Sequence, residues 1–269
     1  MGPPDGRYLM RGADDAADGP PTHVLLFATL GAVQRRRLAR RQRDAAPEPD
    51  PAPVSTGRAT VIDVLAPLAG EAEARRWLSG AGEEQLERDL AVLNRALHLF
   101  RLISADADLH PVGRRQALVA RIGYGAGEQV ADGRWHEARE LLAPAARSRR
   151  AKVLEPQARL AAVLGGRARA LACEELVLRA RADIDHGRAR EAALQLAVAL
   201  DAALAELPRD PAASAIADRL EELRGCHEAT AAAAREALAG PLSEGALAAV
   251  MHALGRLEAA LRARSVANG

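Results

Sequence analysis

The amino-acid sequence predicts an all-α protein: a helical bundle or irregular array of antiparallel helical hairpins behind a disordered or basic N-terminal segment. Three observations carry that prediction. Hydrophobic residues make up 49% of the 269 residues but aromatics only 2%, so a core must be built from Ala, Leu and Val, a set that favours helices over strands. Leu86, Leu90, Leu93, Leu97 and Phe100 recur in steps of four and three, which places them on one helical stripe. From there to the C-terminus, breaks at Pro144, Glu155-Pro156, Gly165-Gly166, His186-Gly187, Pro208 to Pro211, Gly225 and Gly240-Pro241 separate one helical stretch from the next.

Residues 1–22 are rich in Gly, Pro and Asp and are expected to be disordered, or an extended start of little structural value. Residues 23–43 are apolar first and then basic, and are expected to form one helix carrying Arg35, Arg36, Arg37, Arg40, Arg41 and Arg43. Residues 44–58 hold alternating prolines, which forbid helix and predict an extended linker with a domain boundary near residue 58. Residues 59–269 then form the helical domain. Within it Thr60-Val-Ile-Asp-Val64 is the one strand candidate, short and β-branched. A helix is expected after Gly82, a connection over Asp106–Gly113, and a further helix from about Arg114 bearing Leu118, Val119 and Ile122. The last helix places Leu247, Val250, Met251, Leu254, Leu257 and Leu261 along one side, with Ser243 as its cap.

Charge and cysteine content exclude several classes. Lys+Arg 37 against Asp+Glu 36 gives a net charge of +1, so no global field points to nucleic acid or lipid. Cys173 and Cys226 form no CxxC pair, which makes a disulfide framework a poor fit and a reducing cytoplasm the expected location. The apolar run Val24–Val33 falls short of the roughly 20 residues that span a bilayer. The aspartates before it have the wrong sign for a secretory leader.

Gly123-Tyr-Gly-Ala-Gly-Glu-Gln-Val-Ala-Asp-Gly-Arg-Trp-His-Glu-Ala138 concentrates glycine and aromatic residues as no other stretch does. It is not a phosphate loop. The Gly-x-Gly-x-x-Gly spacing is absent, the residues about 20 further on are basic, and no Gly-Lys-Ser/Thr occurs. Gly123 and Gly127 instead read as one face of a close-packed helix, Gly133 as its C-terminal cap and Trp135 as the packing anchor that starts the next helix. Asp132-Gly-Arg-Trp-His-Glu-Ala-Arg-Glu-Leu-Leu142 resembles the turn and second helix of a tetratricopeptide-type hairpin. His186-Gly-Arg-Ala-Arg-Glu-Ala-Ala-Leu-Gln-Leu196 repeats it, with Gly187, Ala192 and Leu196 at the places of Gly133, Ala138 and Leu142. That resemblance implies a binding scaffold rather than an enzyme.

No catalytic residue, metal ligand or cofactor is assigned. Serine-nucleophile elbows and Glu-x-x-His pairs are missing, and Asp183-x-x-His186 is at most half of a bundle metal site. The expected role is a helical scaffold or protein-interaction module with its surface around Tyr124, Glu128, Asp132, Trp135 and His136. An alternative makes those same acids and His136 the cleft of a helical enzyme or small-molecule binder. A second alternative uses the arginines at 35–43 to contact nucleic-acid phosphates or an anionic membrane. A homo-oligomer is compatible with any of these readings.

Overall fold

The computed structural model describes residues 2–11, 20–31, 56–65, 67–141 and 159–268. The chain divides into two compact units, residues 1–145 and 146–269. It is mostly helical, as expected, but among the described residues five strands in two small sheets depart from a purely all-α architecture.

The first unit opens with β1 (Gly6–Met10), β2 (His23–Leu30) and β3 (Thr56–Asp63), an antiparallel sheet in the order β1-β2-β3. Three expectations change here. Residues 6–10 are a strand within the stretch expected to be disordered, and residues 23–30 are a strand rather than the start of a helix. Residue 58, the expected boundary, lies inside β3, opposite Ala28. The expected strand at 60–64 is present in its first four residues. Val-Leu-Leu-Phe over residues 24–27 is compatible with helix or strand by periodicity alone. Pairing on both sides decides it: Leu25 faces Tyr8 and Val61 across the sheet, and Leu25 and Leu26 are both buried. Tyr8 and Phe27 meet edge to face with centroids 5.7 Å apart, a favoured aromatic geometry.

Two helices follow, α1 (Glu71–Gly80) and α2 (Glu83–Ser104). On α2 the predicted stripe is real: Leu93 and Leu97 are buried, and Leu86, Leu90 and Phe100 are half-buried. Ala105, in the left-handed conformation, ends the helix. Buried Asn94 pins the predicted connection, its side chain donating to the Val112 carbonyl and accepting from the Val112 N–H at 2.9 and 2.8 Å. Those bonds satisfy an amide that burial would otherwise penalise.

No helix follows at 114. A single 3-10 turn (Arg114–Gln116) leads to β4 (Arg121–Tyr124), which pairs antiparallel with β5 (Glu137–Glu140). Where a close-packed helix bearing Gly123 and Gly127 and a second hairpin helix from Trp135 were expected, residues 121–124 and 137–140 form a β-hairpin and Gly127 opens a 3-10 turn. Ile122 joins Leu78 and Ala81 in a small core covered by Trp77, Leu86, Tyr124 and Leu141. The tryptophan that anchors this core is Trp77, not Trp135.

The second unit holds α3 (Ala172–Asp185), α4 (Ala189–Glu206), α5 (Ala217–Ala239) and α6 (Glu244–Ala267). Each packs on the next, and α6 also contacts α3 and α4. Ala192, Ala193, Ala199 and Ala203 are fully buried on α4 beside Leu196 and Leu200; small side chains at the contacts let helix axes approach closely. The second hairpin match is helical as expected. Gly187 sits at φ 71° in the turn, and Ala192 and Leu196 are fully buried. Ser243 caps α6, its hydroxyl accepting from the Ala246 N–H at 3.3 Å. On that helix Val250, Leu254 and Leu257 face the core, whereas Met251 is half exposed.

Candidate functional site

The glycine-rich stretch is the β4–β5 hairpin and its connection. A Cβ on Gly123 would stand 2.6 Å from the Ala138 Cβ and 2.7 Å from the Glu137 carbonyl. The expected close approach is therefore present, but the neighbour is the paired strand, not another helix. Gly133 has φ 75°, as expected of a left-handed terminator, and ends the 3-10 turn Gly127–Val130 rather than an α-helix.

The five expected site residues lie on β4 and on the connection that leads to β5. The Tyr124 hydroxyl donates to Glu137 Oε2 at 3.1 Å, and Arg75 Nε stands 3.5 Å from that oxygen while its Nη2 holds Glu71 at 2.7 Å. Desolvation and the bond to Glu137 raise the phenol above its usual pKa, against the pull of Arg75. Glu128 is exposed and pairs with Arg7 at 3.2 Å. Asp132 contributes its carbonyl, which accepts from Arg58 at 3.1 Å. Trp135 is half-buried, and His136 is exposed with its backbone N–H on the Tyr124 carbonyl. Glu128 and Glu137 are thus each paired with an arginine from a different element, whereas Asp132 is bonded through its backbone. Glu137, which follows His136 in the acidic stretch read from the sequence, sits opposite Tyr124 in the hairpin; Arg75, which ties it to α1, carried no signal because it comes from a distant element. Arg35, Arg36, Arg37, Arg40, Arg41 and Arg43 lie outside the described residues.

The second unit holds a buried ion cluster. Arg264 donates from Nε to Asp210 at 2.6 Å, from Nη1 to Glu174 at 2.9 Å and from Nη2 to the Arg169 carbonyl at 3.3 Å. Arg159 also pairs with Glu174. At the end of α4, Glu206 accepts the Ala172 and Cys173 N–H groups at 3.1 Å each, a carboxylate at the positive end of α3. Burial pushes the Asp210 carboxyl up, but bonds from Asn268, the Ala212 N–H and Arg264 outweigh it and leave it below the usual range. Glu206 is lowered too: the N–H and thiol of Cys173, the Ala172 N–H and Arg264 together overcome burial. Burial and then Glu206 drive the Cys173 thiol up to about 12. A thiol so held is protonated and unreactive. The signal for the cluster was present in the sequence: Arg264 follows Val250 and Leu257 at seven-residue steps, an arginine at a core position.

Between α5 and α6 an open groove of about 660 Å³ is lined by Gly225, Cys226, Ala229, Ala248, Ala249 and His252, with Glu222 and Arg256 paired at 3.4 Å on its rim. Among the described residues no group of three His, Cys, Asp or Glu side chains is arranged to hold a metal ion. Asp183 pairs with Arg188 at 2.7 Å, and the His186 ring contacts the Ala182 carbonyl through Nδ1 at 2.6 Å, so the half-motif serves the α3–α4 turn. No described helix is long and apolar enough to cross a membrane. No known protein family, curated protein or solved structure matches this chain.

Exposed aliphatic side chains supply the remaining feature. Leu99, Leu102 and Ile103 on α2 are 47%, 62% and 83% exposed. At 100° per residue they share one face, roughly opposite the buried face of Leu93 and Leu97. The covered face and the exposed one both belong to the same run of residues, 86–103.

Proposed function

We propose that this chain is a non-catalytic interaction scaffold that engages protein partners through the bare face at the C-terminal end of α2. The observation that carries this reading is that the last turns of α2 present Leu99, Leu102 and Ile103 on a face away from the buried Leu93 and Leu97, uncovered among the described residues. Leu99, Leu102 and Ile103 together expose the equivalent of about two whole aliphatic side chains. At 1.5–3 kcal/mol for each side chain fully buried, a partner covering them gains about 3–6 kcal/mol. Contiguous exposed apolar side chains of this kind mark interaction surfaces. The pairing of Glu128 and Glu137 with separate arginines weighs against the enzyme alternative, and the tetratricopeptide-like turn at Gly187 suits a scaffold.

A photo-crosslinking side chain placed at Ile103, compared with one at exposed Arg134, tests the reading in the native host. The expected outcome is a reproducible adduct of defined mass at 103 and none at 134, lost when Leu99 and Leu102 are both changed to Glu. Indistinguishable adducts at the two positions, or an adduct that survives Leu99→Glu with Leu102→Glu, overturn it. Unchanged circular dichroism of the variants shows that folding is intact.

A further inference from the structure

We draw no further inference here: the strongest candidate, the open groove between α5 and α6 over Cys226, His252 and Arg256, is a stripe of small residues beside a lone cysteine, and nothing in the structure shows what covers it.

Discussion

Replacing Arg264 tests whether the buried ion cluster holds the second unit together. The Arg264 side chain is 7% exposed, Asp210 5% and Glu174 19%. Arg264→Met keeps the apolar stem but strips the opposite charge from two carboxylates out of water. Asp210 would retain Asn268 and the Ala212 N–H, and Glu174 would retain Arg159. Removing one partner of a buried pair costs about 3–5 kcal/mol, and the surviving bonds place this case near about 3 kcal/mol. With roughly 120 residues in the unit and an unfolding entropy of about 2.1 cal/mol/K per residue, that loss lowers its melting temperature by roughly 12 °C. Calorimetry at pH 7 measures it. Arg179→Met is the control: Arg179 pairs with Glu175 on the surface of α3, and its loss should move the transition by under about 2 °C. Arg264→Met with Asp210→Leu should recover part of the loss, because an apolar pair leaves no stranded charge. If Arg264→Met melts with the control, the cluster does not stabilise the fold and the reasoning fails.

Acid should weaken the same unit. Asp210 and Glu206 have pKa values lowered in the fold, so the stability they contribute is present above the unfolded carboxylate value of about 4 and is lost as pH falls through their folded values. Melting temperatures measured from pH 7 down to pH 2 should fall below about pH 4, less steeply in Glu206→Gln than in the parent; identical slopes would exclude Glu206 as a source. Gly123→Ala should open the hairpin at a cost of about 1–3 kcal/mol, since the new methyl meets Ala138 and a backbone carbonyl that cannot yield without parting the strands. Faster amide exchange across residues 121–140 would register it, and unchanged protection would remove the packing argument. Thiol titration at pH 8 should label Cys226, which lines the groove, before Cys173, which is fully buried with its thiol held at about 12. The opposite order would contradict the burial described for α3. Ile103→Glu should leave the melting temperature within about 2 °C, as expected of a surface site; a larger fall would mean that this face is packed in solution.

The long helices were legible because their information is local. The stripe on α2, the Gly187 turn, the Ser243 cap and the core side of α6 each depend on residues within a few positions of one another, and a 3.6-residue period repeated over several turns admits little else. The β4–β5 hairpin was not legible. Its strands read Arg-Ile-Gly-Tyr and Glu-Ala-Arg-Glu, the second made entirely of good helix formers. They are strands because each supplies the other's backbone partners across a connection of twelve residues. β2 is a similar case, an ambiguous apolar run settled by β1 and β3 on either side.

By itself, then, the sequence determined that the four glycines and two aromatics at 123–138 specify backbone geometry: Gly123 needs a close neighbour and Gly133 a left-handed turn. Tertiary structure alone decided that the close neighbour is a strand and that Tyr124 is tied to Glu137 and Arg75. It also left Leu99, Leu102 and Ile103 uncovered. The physical reason is the same in each case: local periodicity sets which faces a segment offers, while burial and strand pairing are settled by what the rest of the chain brings to those faces.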